Sequence, residues 1–172
     1  MKIFSFTLIA FLLTACGASV AIDYDKQTDF DQYKTYNFFP EIKSGLSELD
    51  NNRIIRVTDS LLQQRGFVKS EDSQFLINFF ASETVSRSGN TVGIGIGGGG
   101  GNVGVGVGGG IPIGGRSINQ RLTLDFIDTA KDNLFWQAIS DGSFKEKMKP
   151  EKKETYYGNV INKMLERFPP KK

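Results

Sequence analysis

The 172-residue chain contains one cysteine, Cys16, and no histidine. Those two facts remove much of familiar hydrolase chemistry. Without an imidazole there is no Ser-His or Cys-His nucleophile pair and no His-ligated zinc, and one thiol closes neither an internal disulfide nor a thiolate cluster. Carboxylates remain. Asp23, Asp25, Asp29 and Asp31 offer oxygens close together in sequence, but their spacing is not that of a calcium loop, and alternating Asp on a strand is usually its solvated face. Gly93, Gly95 and Gly98 have the spacing of a dinucleotide fingerprint, and Gly110 to Ser117 that of a phosphate loop with Arg116 in place of Lys. Both motifs need a following helix N-terminus to receive phosphate. No helical pattern follows either, and Pro112 interrupts the second. We therefore expect no metal, no cofactor, no nucleotide and no enzymatic activity. Lys+Arg 21 against Asp+Glu 19, a net charge of +2, also argues against a nucleic-acid partner, because neutralising a phosphate backbone takes several clustered cations.

What Cys16 can do is set by its neighbours. Met1 and Lys2 form a short positive start, and Ile3 to Leu13 is an apolar run broken only by Ser5 and Thr7. That run has the length of a signal-peptide core and falls short of the ~20 apolar residues a spanning helix needs. Leu13-Thr14-Ala15-Cys16 resembles the bacterial lipobox, in which the cysteine is diacylglyceryl-modified before the peptidase cuts ahead of it. Each buried CH2 contributes ~0.8 kcal/mol, so two or three acyl chains hold a small domain firmly. By similarity to lipoprotein sorting in Gram-negative bacteria, Gly17 rather than Asp at the second position implies the outer membrane, with the domain facing the periplasm. Residues 1–15 are thus expected to be a signal peptide, and 16–172 a single domain with a glycine-rich insert at 89–116.

The elements of that domain follow from periodicity. Val20, Ile22 and Tyr24 alternate with Ala21, Asp23 and Asp25 in the period of a strand. Tyr33 to Phe39 predicts a second strand, stopped by Pro40. Ile54, Ile55, Thr58, Leu61 and Leu62 recur at helical spacing, with Ser47 or Asp50 to cap the start and Gly66 placed for a left-handed cap after Arg65. Gln74 to Val85 predicts a long buried strand, and Leu122–Ile127 with Leu134–Ile139 a hairpin about Asp128 to Asn133. Pro150 suits a first helical position, and Tyr156, Tyr157, Val160, Ile161, Met164, Leu165 and Phe168 form a stripe that Pro169 ends. This order predicts an α+β fold: two layers, a mostly antiparallel β-sheet with two amphipathic helices packed on one face, and a glycine-rich hairpin insert.

Asp23-Tyr24-Asp25, Asp29-Phe30, Tyr33-Lys34-Thr35-Tyr36, Gly66-Phe67, the strand up to Phe80, Leu134-Phe135-Trp136 and Phe168-Pro169-Pro170 together resemble the domain-of-unknown-function 4136 lipoproteins. Phe39 stands near where relatives often carry Trp. The resemblance implies a bacterial envelope lipoprotein with a small α/β domain and brings no catalytic residues.

Two features remain as candidate contacts. Residues 93 to 115 include fourteen glycines, and fixing each in a strand costs roughly 0.5 to 1 kcal/mol more than Ala. Ordering the whole insert would cost on the order of 7 to 14 kcal/mol, comparable with the ~5 to 15 kcal/mol stability of a domain. The insert is either a tolerated hairpin that frays at its tip or a ribbon whose Val92, Ile94, Ile96, Val103, Val105 and Val107 pair with a partner's sheet or meet lipid. The many aromatics read mainly as core. Phe135 and Trp136, as strand neighbours, should point to opposite faces, leaving one exposed on the open face as a contact residue. Lys145, Lys147, Lys149, Lys152 and Lys153, interrupted by Glu146, Glu151 and Glu154, read as a solvated loop. Attraction to anionic headgroups, about 1 kcal/mol per cation near a charged surface, is the alternative. The expected function is a non-enzymatic binding or scaffolding module of the envelope, held to the membrane through lipid on Cys16 and engaging an envelope protein. A carrier or sensor of a small apolar ligand, a lipid or cell-wall fragment, is the second reading.

Overall fold

The computed structural model describes residues 18–87, 91–92, 111–112 and 115–170. The predicted α+β architecture is present. The elements are β1 (Ser19–Tyr24), β2 (Thr35–Phe38), α1 (Glu48–Gln64), β3 (Val68–Lys69), β4 (Phe75–Arg87), β5 (Thr91–Val92), β6 (Ile111–Pro112), β7 (Arg116–Asp128), β8 (Asn133–Lys145) and α2 (Pro150–Leu165). Six strands form one sheet in the order β1-β8-β7-β4-β2-β3. It is antiparallel except at one side, where β2 runs parallel to both β3 and β4. The body of the predicted glycine-rich hairpin lies outside the described residues. Its roots β5 and β6 pair antiparallel, Val92 opposite Ile111.

Each helix starts where its sequence signals it. Ser47 caps α1 by accepting from the Asp50 amide, and Gly66, at φ +88°, supplies the left-handed turn that releases the chain. Pro150 opens α2, where a missing N–H costs nothing. The buried stripe of α2, Tyr157, Val160, Ile161, Met164 and Leu165, packs with Ile54, Thr58 and Leu62 of α1 onto one sheet face. On that face alternate residues of the strands are buried: Phe75, Ile77 and Phe79 of β4, and Leu122, Leu124 and Phe126 of β7. Gly142 belongs to the same face, where a Cβ would come within 2.7 Å of the Tyr156 hydroxyl oxygen.

Register defines the two ends of the sheet. Ser19 faces Asp141 and Tyr24 faces Trp136, so the chain enters at the end where β8 finishes, β7 begins and α2 starts. The opposite, far end holds the Asp128–Asn133 turn and the loops before β2 and β4. At the far end Phe75 is ringed by Tyr33, Phe67, Phe126 and Phe135, with centroids 5.1 to 5.9 Å away. Asp128, buried there, accepts from the Tyr33 hydroxyl (2.6 Å) and from the Ala130 and Lys131 amides. At the entry end Asp50 accepts from Lys153 Nζ (2.7 Å) and Arg53 Nη1 (2.8 Å), joining the first turns of the two helices.

Because Phe75 is fully buried and surrounded by rings, Phe75→Ala is expected to destabilise the protein by about 3–5 kcal/mol. Phe80→Ala, on the opposite face and 44% exposed, should stay within about 0.5 kcal/mol. Urea unfolding of both variants checks the pair, and similar losses would contradict this assignment of faces.

Candidate functional site

The sheet face away from the helices carries no described helix. Its side chains form rows across the strands, read from the pairing register. Leu76, Ile127 and Leu134 make an apolar row at the far end. Asn78, Asp125, Gln137 and Asp23 make a polar row beside it, followed by Phe80, Thr123, Ile139 and Ala21. Ser82, Arg121 and Asp141 come next, with Arg121 gripping Asp141 through two bonds of 2.8 and 3.0 Å. Phe80, Leu134 and, at the β3 edge, Val68 are the large apolar side chains exposed on this face among the described residues, at 44%, 46% and 59%.

Neither aromatic expected there is at the surface. Phe135 is 1% exposed and Trp136 0%. The reason is a β-bulge. Trp136 pairs with Phe126 but Leu134 already pairs with Ile127, so Phe135 is an extra residue in β8. The pleat is broken at that point, and both neighbours enter the helix-side layer. Phe135 stacks on Tyr33 at 4.3 Å and 11°, while Trp136 lies 4.6 Å from Phe126. Of the other expected contacts, Val92 lies in β5, whereas Ile94, Ile96, Val103, Val105 and Val107 fall outside the described residues, as does Cys16.

Sequence reasoning missed a groove along β1. This strand ends the sheet and pairs on one side only, with β8. The Tyr24 amide donates to the neighbouring carboxylate Oδ1 of Asp23 (2.9 Å) instead of to another strand. Beside it, Tyr24, Phe30, Phe168, Pro169 and Pro170 line a groove of about 650 Å³ rimmed by Lys26, Asp31 and Glu166. An adjoining cleft of about 540 Å³ continues past Ile22 and Arg167. The Tyr24 ring, 39% exposed, sits edge-on to Phe30 at 5.7 Å. The only sequence signals were the Phe168-Pro169-Pro170 end of the last helix and the Asp29-Phe30 pair, which nothing local connects.

In the interior the surroundings keep the tyrosine hydroxyls protonated and the paired aspartates ionised. Burial and the bonds to Asp128 and Asp59 push the Tyr33 and Tyr36 hydroxyls up, and burial takes Tyr156 to about 12. Burial alone would raise Asp128, but the bonds from Tyr33, Lys131 and Ala130 outweigh it and lower its pKa. Asp50 is lowered in the same way, with Lys153 as the main counterweight to burial. Each shift moves the group away from neutrality, the reverse of what a general acid or base needs. Asp125 differs. Half-buried on the uncovered face, its carboxyl is raised by burial, against the pull of the Gln137 amide at 2.7 Å. Asp25, Asp23 and Asp29 spend carboxylate oxygens on local amides of Gln27, Tyr24 and Asp31. Among the described residues no group of three or more metal-ligating side chains converges, and no helix is long and apolar enough to cross a membrane.

A model described as a domain of unknown function, DUF4136, matches residues 20–170. The chain belongs to the DUF4136 family. Solved structures repeat this fold at low identity. A DUF4136 family protein from Bacteroides thetaiotaomicron has a TM-score of 0.53 at 15% identity, covering 89% of this chain and 96% of that one. The PelC dodecamer from Paraburkholderia phytofirmans has a TM-score of 0.54 at 12% identity, covering 90% and 99%. A PDZ domain protein from Parabacteroides distasonis has a TM-score of 0.56 at 12% identity. The match covers 91% of this DUF4136 chain but 37% of that longer protein. Comparison with curated proteins gave no match.

The two aspartates predict opposite pH signatures. Asp125, raised on folding, disfavours the folded state when ionised, a penalty present above its folded pKa and gone below the unfolded value of ~3.9. Asp125→Asn should therefore raise Tm at pH 7 and change it little at pH 3. Asp128, lowered on folding, stabilises above the unfolded pKa and loses that contribution as pH falls through its folded pKa. Asp128→Asn should lower Tm at pH 7, with the gap to the parent narrowing in acid. Thermal unfolding at the two pH values decides both.

Proposed function

We propose that this DUF4136 chain is a lipid-anchored, non-enzymatic binding module of the bacterial cell envelope. Lipid on Cys16 holds it to the outer membrane, the body faces the periplasm, and the free edge of β1 receives an extended segment of an envelope protein. One observation carries the reading. A terminal strand of six residues, Ser19–Tyr24, lies unpaired on its outer side beside an aromatic and proline-lined groove. Strand addition supplies affinity through main-chain hydrogen bonds, and a flanking groove supplies selectivity through alternate side chains. A long bare edge invites indiscriminate pairing, which the charged rim of Lys26, Asp31, Glu166 and Arg167 restrains. The same fold occurs in PelC, which assembles as a dodecamer, so another copy of this chain is one segment the edge could take.

The groove's size supports a second reading. A volume of about 650 Å³ lies within the ~300 to 1,000 Å³ of small-ligand sites, and an apolar lipid or cell-wall fragment would meet Tyr24, Phe30, Phe168 and the two prolines. That chain would be a carrier or sensor. The glycine-rich ribbon, through Val92, Ile94, Ile96, Val103, Val105 and Val107, remains a proposed second contact.

A photo-crosslinker at Ala21, exposed on β1, is expected to trap a protein in intact cells, and adding Ile22→Pro, which removes an amide that the register turns outward from β8, should abolish the product. Crosslinks to the chain itself would make the partner a second copy. Co-purified lipid in native mass spectrometry without crosslinks would favour the carrier. Palmitate labelling lost in Cys16→Ser is expected, and unlabelled parent protein would remove the anchor. Deleting residues 93 to 115 should reduce the crosslinked yield if the ribbon contributes; unchanged yield and stability would leave it a tolerated hairpin.

A further inference from the structure

The position of the chain entry relative to the charged residues singles out one end of the body. β8 runs four residues beyond the Ser19–Asp141 pair, to Lys145. At about 3.3 Å per residue the sheet end extends ~13 Å past the start of β1. Cys16 lies three residues before Ser19, a reach of at most ~10 to 11 Å. The tether is thus no longer than the ledge beside it. That ledge, formed by the end of β8 and the start of α2, exposes Lys145, Lys147, Lys149 and Lys152. No ion pair involves these four among the described residues.

Their acidic neighbours are largely occupied. Glu146 pairs with Arg116 at 3.5 Å and Glu154 bridges Arg53 and Arg56. Asp50 takes up Lys153, leaving Glu151 as the exposed acid of the ledge. Glu41, Glu48 and Glu83 belong to this end too, toward β4 and α1. The far end has the opposite character, with Asp23, Asp25, Asp29, Asp31, Glu71, Asp72, Asp132 and Glu166 exposed against Lys26, Lys34, Lys69, Lys131 and Arg167. The body is therefore polarised along the strands, basic beside the chain entry and acidic away from it.

We propose that the Lys145–Lys152 ledge is a docking surface for anionic phospholipid headgroups, and that it holds the body upright with β1 at the side and its groove toward the far end. The inference rests on the lipid-anchor reading for orientation. A tether of ~10 Å keeps the ledge near one Debye length of the bilayer, where surface potential acts on lysines and repels the acidic far end. The α1 and α2 N-termini face the same way and add partial positive charge.

The test uses the full chain produced in a Gram-negative host, reconstituted on vesicles of phosphatidylethanolamine and phosphatidylglycerol at about 7:3, and on zwitterionic phosphatidylcholine vesicles. Impermeant acetylation read by mass spectrometry should label Lys145, Lys147, Lys149 and Lys152 at least about fivefold less on the anionic vesicles. Lys26, Lys34 and Lys131 should label equally on both, and about 0.5 M KCl should restore labelling of the ledge, as screening requires. Equal ledge labelling on both vesicles, or protection of the far-end lysines, overturns the proposal. Flotation with the zwitterionic vesicles reads the anchor separately. If the protein does not float there, the anchor reading fails. Labelling on anionic vesicles is then compared with free protein: ledge protection sustains the surface and its absence refutes it. In the parent Lys153, beside the ledge, should also label less on the anionic vesicles, and the variant K145Q/K147Q/K149Q/K152Q should float as the parent does if anchored while losing that difference. Retention of that difference also counts against the ledge.

Discussion

Two consecutive side chains of β8, Phe135 and Trp136, occupy the same buried layer, which a regular pleat forbids because successive residues alternate. The extra residue between the Ile127–Leu134 and Phe126–Trp136 pairs makes it possible. Much of the far end depends on this bulge. Phe135 reaches Tyr33 and Phe75, and its carbonyl receives the Asp25 amide, extending the β1–β8 ladder beyond Tyr24. Phe168 then closes the end of α2 over Phe126 and Trp136 at 4.7 and 5.1 Å. By drawing both aromatics inward, the bulge leaves the uncovered face without an exposed ring at Phe135 or Trp136, and the conspicuous concavity lies instead beside the end of β1.

Polar interactions fasten the two ends of the apolar interior. Tyr33 and Asp128 tie the loop before β2 to the β7–β8 turn at one end; Asp50, Lys153 and Arg53 tie α1 to α2 at the other. Breaking such a buried pair leaves an uncompensated charge, so each tie fixes geometry more than it adds net stability. Between them, the Trp136 indole N–H and the hydroxyls of Thr58 and Ser140 are buried without a hydrogen-bond partner. Each costs about 1–3 kcal/mol, and the rings packed about Trp136 must offset that cost. The interior is therefore selected for shape, with aromatic packing outweighing imperfect polar satisfaction.

Local signals were legible in the sequence because local physics decides them. The cap at Ser47, the left-handed Gly66, Pro150 at a helix start and the stripe of α2 each need only a few neighbouring residues, and the α+β order follows from them. Cross-strand choices were less visible. Tyr33 to Phe39 read as one strand, but Tyr33 ends a 3-10 turn and only Thr35–Phe38 pair, in parallel with β4. Val68 and Lys69, two residues after a helix, carry no periodicity that could announce an edge strand. The bulge is invisible because Leu134-Phe135-Trp136 alternates no more and no less than a regular strand would. The groove brings Tyr24 and Phe30 beside Phe168 and Pro170, about 140 residues away in sequence, a proximity set by topology and not by spacing.

That topology also sorts the surface by role. Because β1 pairs antiparallel to β8 and both helices return from the entry end, the start of β1, the helix N-termini and the roots of the glycine-rich segment share one end of the sheet. On the proposed anchor, rotating the body to bring the β1 groove toward the lipid surface would carry Lys145 to Lys152 away from it. Under that proposal electrostatics and tether length favour the same orientation, one that leaves strand β1 lateral and open to an extended chain. A fold with the β1 strand reversed would start from the acidic end, placing the chain entry and the lysine ledge on opposite sides. The direction of one edge strand therefore couples the packing of the sheet to the way the molecule presents its groove.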